Sequence, residues 1–228
     1  PDGNPMENTV SRRQMMLGGL GLAAITLAGC TTTTQPPRVA APEPPAIAPE
    51  YLSMYAAMPF ERFPVPAADL GKIDPRYYRQ EVDNPTGEPA GRVVVDTPNR
   101  FLYWTMPGGR AMRYGVGIGR DGFAWGGRAR IAYKREWPRW TPPAEMIERQ
   151  PELEVYRHGM EPGIGNPLGA RALYIHDTGG DTLYRLHGTT EEWSIGRAVS
   201  SGCVRLLSQD VIDLYNRVPD GTPILVKQ

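Results

Sequence analysis

Cysteine is scarce in this chain, which has only Cys30 and Cys203 among its 228 residues. Two cysteines cannot form the disulfide framework of a small secreted domain, and these two lie in such different contexts that a bond between them is not expected. With three histidines and no C-x-x-C pair, the chain also has too few ligands for a zinc site. We therefore expect no metal, no cofactor and one unpaired thiol in the folded part.

Net charge is also absent, because 25 basic residues balance 25 acidic ones. No basic stripe with interleaved aromatic residues occurs, and a nucleic-acid partner is not expected.

The apolar run at residues 17–29 is shorter than the roughly 20 residues that a settled membrane-spanning helix needs. What the chain has instead is 24 prolines and 26 glycines, which favour turns and β structure over a helical bundle.

The N-terminal residues have the pattern of an export signal. Ser11-Arg12-Arg13-Gln14 precedes the apolar run and resembles a twin-arginine signal, and Leu27-Ala28-Gly29-Cys30 resembles a bacterial lipobox. We expect residues 1–30 to be a signal peptide and Cys30 to carry lipid that anchors the protein in the periplasm, at the inner or outer membrane of a Gram-negative bacterium. The alternative is an ordinary signal, cleaved near Ala28 without lipidation.

Three further regions follow this signal. Residues 31–50 are rich in proline, threonine and alanine and predict a semi-extended tether that cannot bury enough surface to fold. Residues 51–90 contain aromatic residues among prolines and predict an irregular extension whose role the sequence does not reveal. Residues 91–228 contain short β-rich runs separated by turn signals, with helices expected over 143–150 and over 209–217, the latter capped by Ser208. The predicted fold class is mainly β, a β-sandwich or partly open barrel with one or two short helices.

The most informative stretch combines His187-Gly188-Thr189 with the sequence from Ser200 to Leu206, Ser-Ser-Gly-Cys-Val-Arg-Leu. A thiol becomes nucleophilic when it ionises, and a nearby imidazole can take its proton. Gly202 leaves room for a substrate backbone, and Arg205 adds positive charge that favours the thiolate. Considered alone, each of Cys203 and His187 is more often a buried structural residue than a catalytic one. Together they predict a cysteine acyl-transfer site.

Three of the five tryptophans, Trp125, Trp137 and Trp140, lie among prolines and glycines rather than in strand alternation. Core packing is the ordinary interpretation for each of them. Their clustering equally allows them to line a substrate groove.

The segment from about Gly91 onwards resembles the L,D-transpeptidase (YkuD-type) catalytic domain, in the branch found in many Gram-negative bacteria. The resemblance rests on H-G-T, on S-x-G-C-V-R and on Gly165-Asn166-Pro167-Leu168-Gly169 upstream. It implies that Cys203 is the nucleophile, that His187 is the base and that the Gly188 carbonyl orients the imidazole. Backbone N–H groups of Gly202 and Cys203 would form the oxyanion hole, beside Ser200 and Ser201, and Arg205 would hold a substrate carboxylate or serve in a structural ion pair.

The resemblance also implies the substrates. Cys203 would take the acyl group of a peptidoglycan tetrapeptide stem, release the terminal D-alanine and pass the acyl group to an amine of another stem peptide or of a protein. Water as the acceptor, giving an L,D-carboxypeptidase, and an inactive wall-binding lipoprotein are the alternatives. Two departures from the family pattern concern the groove: Ser201 stands where many relatives have histidine, and Trp125-Gly126-Gly127 replaces the usual T-P-x-G.

Overall fold

The described part of this computed structural model comprises residues 46–119, 125–200 and 202–228, with Ser200 described by its backbone alone. These residues lie within one compact unit, Pro45–Gln228. Its strands are β1 Gln80–Asp83, β2 Val93–Asp96, β3 Phe101–Met106, β4 Arg110–Gly115, β5 Ile118–Gly119, β6 Gly127–Glu136, β7 Arg171–Asp177, β8 Gly180–Thr189, β9 Ala198–Ser200, β10 Val204–Leu207 and β11 Pro223–Lys227.

Nine of these strands form one mixed sheet in the order β1-β4-β3-β2-β11-β6-β7-β8-β10, and β5 pairs with β9 in a second sheet. In the nine-stranded sheet most neighbours are antiparallel, but β2 with β11 and β8 with β10 are parallel. Parallel neighbours need a long connection, and the one between β8 and β10 contains β9 and Cys203. The mainly β fold expected from the sequence is confirmed.

Within the described ranges there are three α-helices: α1 Pro49–Met54, α2 Ala144–Arg149 and α3 Ser208–Arg217. The helices α2 and α3 correspond to the two expected over 143–150 and 209–217. Helix α3 buries Val211, Ile212 and Leu214 against β7 and β8. The predicted Ser208 cap is wrong. Its hydroxyl donates to the Thr189 carbonyl at 3.3 Å, and Leu207 precedes the helix without a capping side chain.

The extension between residues 51 and 90 packs into the folded unit. Its buried apolar residues contact the β9–β10 region through Ile195 and Leu207. These extension residues are Tyr55, Leu70, Ile73, Tyr77 and Tyr78. The Gln209 amide of α3 donates to the backbone oxygens of residues 55, 56 and 66. The extension is therefore a structural part of the unit that holds the site.

Among the described residues no helix has the length and apolar character needed to cross a bilayer. The predicted signal peptide, Cys30 and most of the tether lie outside the described residues, and those expectations stay predictions.

Candidate active site

The parallel pairing of β8 with β10 brings the two sequence motifs together. In this register Arg205 lies opposite His187, and Leu206 lies opposite Gly188. Cys203 immediately precedes β10. Residues sixteen positions apart in the chain thus reach the same edge of the sheet.

The imidazole of His187 is buried and is oriented by its own strand. Its Nδ1 lies 2.9 Å from the Gly188 carbonyl oxygen, the partner that the family resemblance predicts. Because a carbonyl oxygen can only accept a hydrogen bond, Nδ1 carries the proton of the neutral ring and Nε2 keeps its lone pair. The ring therefore has the tautomer of a general base.

Burial also sets the charge of His187. It lowers the pKa of the imidazole to about 4, and the charges of Arg205 and Arg185 act in the same direction. The backbone oxygens of Gly188 and Pro167 oppose this shift without overcoming it. At neutral pH the ring is uncharged and is able to accept a proton.

Two glycines allow the backbone around His187 to pack closely. A Cβ at Gly188 would lie 3.0 Å from Cγ1 of Val211 in α3 and 3.2 Å from the Ala170 nitrogen. Gly169 has a φ of 63°, and a Cβ there would lie 2.8 Å from the carbonyl group of Gly188. The Gly188 amide donates to the Leu168 oxygen at 3.1 Å. Glycine at both positions lets α3 and the 168–170 chain fix the carbonyl that holds the imidazole.

Cys203 is half-buried, and its protonation differs from the ionised thiolate that the motif predicts. Burial raises the pKa of the thiol above its ordinary value. The Arg185 backbone N–H and the charges of Arg185 and Arg205 lower it again, but by less. Thiol and imidazole are thus both neutral in the resting state, because a buried site without substrate disfavours an ion pair.

Two cavities meet at Cys203. One, of about 310 Å³, is also lined by His187, Arg205 and Val199. The other, of about 450 Å³, lies on the side of Tyr184 and Arg185. They share the side chains of Trp140, Met146, Leu168 and Cys203. The sulfur therefore stands at the junction of two separate approaches.

Both arginines beside the thiol are held by carboxylates. Arg205 donates to Glu191 at 2.6 Å and also lines the smaller cavity. It therefore forms an ion pair, and its contact with a substrate carboxylate stays a prediction. Arg185 forms a two-pronged pair with Asp181, with both distances 2.7 Å, and its guanidinium lies 4.4 Å from the ring centre of Tyr174. Sequence reasoning missed Arg185, although the alternation of side chains along a strand places it on the same face of β8 as His187.

The remaining predicted residues are placed only in part. Gly202 has a φ of 123°, and a Cβ there would lie 3.1 Å from the Tyr184 ring, so the turn before Cys203 requires glycine. Ser201, the side chain of Ser200 and Cys30 lie outside the described residues. Their roles and the oxyanion hole stay predictions.

The three tryptophans differ: some pack in the core and some line the cavities, the two interpretations that the sequence allowed. Trp137 is a core residue with 3% exposure, whereas Trp140 lines both cavities. Trp125 is half-buried, packs on the core and stacks on Tyr184 with ring centres 6.3 Å apart.

Across the described ranges, no group of three or more His, Cys, Asp or Glu side chains could hold a metal ion.

Known proteins resemble this chain over its C-terminal part. The family model described as L,D-transpeptidase catalytic domain (YkuD) matches residues 90–226. "Probable L,D-transpeptidase YcfS" of Escherichia coli K12 is 33% identical over 141 residues, which are 60% of this chain and 43% of that protein. "Probable L,D-transpeptidase YbiS" of the same strain is 33% identical over 145 residues, 59% of this chain and 43% of that protein. The chain thus matches less than half the length of these relatives.

Among solved structures, the one titled "Crystal structure of a Probable carnitine operon oxidoreductase caia from Brucella melitensis" is 45% identical. The match covers 68% of this chain and 96% of that chain, with a TM-score of 0.48. A TM-score this low carries no argument about fold or function.

Proposed function

The chain belongs to the L,D-transpeptidase catalytic-domain family, and from that premise we propose that it transfers the acyl group of a peptidoglycan stem peptide through a thioester on Cys203. The donor is a tetrapeptide stem, cleaved after its third residue. The acceptor is an amine of a second stem peptide, which yields a 3-3 cross-link, or an amine of a protein.

The neutral resting state sets the order of proton transfers in the proposed reaction. Nε2 of His187 takes the thiol proton as Sγ of Cys203 attacks the donor carbonyl carbon, and the bond to the terminal D-alanine nitrogen then breaks as the imidazolium returns that proton to the leaving amine. The acceptor amine next attacks the thioester carbon and gives its proton to His187. The Cys203 thiolate leaves and takes that proton from His187, which restores the neutral thiol and the neutral imidazole.

The observation that carries this proposal is the meeting of two cavities at one sulfur. A hydrolase needs room for one large substrate and a water molecule, whereas a transferase must admit a second substrate while the first is covalently bound. The larger cavity is lined by the side chains of Arg139, Arg149, Arg185 and Glu145, and two of these arginines also form ion pairs, Arg139 with Glu161 and Arg185 with Asp181. Stem peptides carry free carboxylates, which suit such a lining.

Incubation of the purified protein with disaccharide-tetrapeptide, followed by mass spectrometry, tests the proposal. We expect a cross-linked dimer and released D-alanine from the wild type and neither product from Cys203→Ala. Tripeptide alone would favour the L,D-carboxypeptidase. No product from the wild type, with no mass added by a carbapenem, would favour the inactive wall-binding lipoprotein and contradict the proposal.

We also propose that the protein is exported to the periplasm and anchored by lipid on Cys30, as the N-terminal motifs suggest. The intact mass of the mature protein from membranes tests this proposal. It should correspond to a chain that begins at residue 30 and carries acyl groups. A mass without lipid would support cleavage near Ala28 instead.

A further inference from the structure

Glu61, in the extension that precedes the family match, contacts both ends of the long segment between β6 and β7. This segment, residues 138–170, begins after Trp137 and ends before Arg171. The Glu61 carboxylate accepts two hydrogen bonds from the Arg171 guanidinium, at 2.9 and 2.8 Å. It also accepts one from the indole Nε1 of Trp137 at 3.0 Å. One side chain thus joins the two ends of the segment.

These contacts are shielded from solvent. The side chains of Glu61 and Arg171 are 15% and 7% exposed. Burial favours the neutral form of Glu61, but the hydrogen bonds from Arg171 and Trp137 and the charge of Arg171 outweigh it and hold its pKa below the ordinary value. The two parallel hydrogen bonds between the guanidinium and the carboxylate favour one geometry of the pair, although Nε of Arg171 has no hydrogen-bond partner.

The backbone of Trp137, the residue before the 138–170 segment, has an unfavourable conformation. Its φ is 43°, in the left-handed region that a tryptophan rarely adopts. The Trp137 amide donates to the Ala170 oxygen at 2.8 Å, and its ring packs edge-on against Phe63 at 5.0 Å. Two extension residues, Glu61 and Phe63, therefore hold the tryptophan from which the segment departs.

The 138–170 segment supplies much of the wall around the thiol. Trp140, Met146 and Leu168 line both cavities. At its far end, Leu168 accepts the hydrogen bond from the Gly188 amide, beside the carbonyl that orients His187. The position of the segment therefore affects both the substrate grooves and the surroundings of the base.

We propose that Glu61 is a positioning residue of the active site, which joins Trp137 to Arg171 and thereby sets the shape of the donor and acceptor grooves formed by the 138–170 segment. This inference rests on the proposed function for the substrates that occupy the grooves. It assigns to the extension a role in substrate binding, whereas the family match begins at residue 90.

Glu61→Gln tests the proposal, with Glu88→Gln as its matched control. Glu88 also belongs to the extension, and its side chain is 13% exposed. It forms a two-pronged pair with Arg128 and a longer pair with Arg92 at 3.6 Å, and both partners lie outside the 138–170 segment. In the full chain, hydrogen exchange by mass spectrometry should show faster exchange over residues 138–170 in Glu61→Gln and no change there in Glu88→Gln. This readout does not require the enzyme to be active.

The kinetic readout separates positioning from a general loss of structure. We expect Glu61→Gln to raise KM for the disaccharide-tetrapeptide about tenfold while kcat changes less than about threefold, since the loss is one of groove shape. Alkylation of Cys203 by the small reagent iodoacetamide should keep its wild-type rate. Glu88→Gln should match the wild type in all three measurements.

Unchanged exchange over residues 138–170 together with an unchanged KM would overturn the proposal, as would an equal effect of Glu88→Gln. If the wild type makes no product, the proposed function fails, but the exchange measurement still decides the role of Glu61. If Glu61→Gln loses its cooperative melting transition, Trp137→Phe replaces it, since this change removes one hydrogen bond and keeps a ring against Phe63. It should speed exchange in the first residues of the segment, and unchanged exchange there would also overturn the proposal.

Discussion

At the scale of single residues, the site is made of neutral partners held in place by backbone atoms. The Gly188 carbonyl gives His187 the tautomer of a base, and burial lowers the pKa of its imidazole to about 4. Burial also raises the pKa of Cys203. In the proposed reaction the thiolate therefore forms during attack rather than beforehand.

The resting thiol can be observed directly. We expect the ultraviolet absorbance of thiolate to be absent at neutral pH and to appear only above the ordinary pKa of cysteine, because burial disfavours the charged form. The measurement is a pH titration of the wild type against Cys203→Ser. A thiolate band at neutral pH that disappears in Cys203→Ser would contradict the neutral pair.

Arg185 and Arg205 should differ in their effect on the thiol. Both charges lower the pKa of Cys203, and that of Arg185 contributes more. Arg185→Gln should therefore slow alkylation of Cys203 at mildly alkaline pH by about two- to fivefold, a larger effect than that of Arg205→Gln. The comparison is made from the pH dependence of the alkylation rate. A larger effect of Arg205→Gln would show that the order is wrong.

At the scale of elements, the junction between the extension and α3 contains a buried acid. Asp210 of α3 is fully buried, accepts a hydrogen bond from the Tyr55 hydroxyl at 3.1 Å, and lies 3.7 Å from the Arg79 guanidinium. Burial raises the pKa of Asp210 to about 7, with the charge of Asp213 adding to the shift and Arg79 and Tyr55 opposing it. We therefore expect the junction between the extension and α3 to be sensitive to pH.

Asp210→Asn should remove much of this pH dependence. Because the folded protein binds the Asp210 proton more tightly than the unfolded chain does, the contribution to stability is present below the ordinary carboxyl pKa and is lost as pH rises through about 7. Asparagine cannot ionise, so the variant should lose less melting temperature than the wild type between about pH 4 and about pH 8. Thermal melts across this range provide the measurement, and parallel curves for the two proteins would refute the assignment.

Features that depend on residues close together in the chain could be predicted from the sequence, whereas features that depend on residues far apart in the chain could not. Local patterns gave the β runs and α3, and the motif residues His187, Gly188 and Cys203 were identified because each carries a recognisable chemical requirement. The Glu61–Arg171 pair joins residues 110 positions apart, and no local pattern marks it. The Ser208 cap failed for a related reason, since its hydroxyl finds a distant partner on β8. The neutral state of Cys203 depends on burial, which only the assembled fold determines.

At the scale of the whole molecule, the catalytic sheet and the extension form one packed body. Tyr55, Leu70, Ile73, Tyr77 and Tyr78 are each at most 5% exposed. Burial of a large apolar side chain contributes roughly 1.5–3 kcal/mol before the entropy cost of ordering the chain is subtracted. The region matched by the family model therefore lacks five side chains that belong to the core of the folded unit.

A truncated chain of residues 91–228 should fail to fold cooperatively, because it would expose the surfaces that these five side chains cover. A chain of residues 46–228 should melt in a single transition. Differential scanning calorimetry of the two proteins provides the comparison. Similar melting temperatures for both would show that the extension adds little to stability.

The two cavities that meet at Cys203 have Trp140, Met146 and Leu168 in common. Because these side chains line both cavities, a substitution at Met146 that widens one cavity also changes the shape of the other cavity. If the proposed function holds, selectivity for the molecule that gives the acyl group and for the molecule that receives it cannot be tuned independently at these positions. Variants that use a new receiver would have to arise at residues that border one space alone, such as Val199 or Thr182.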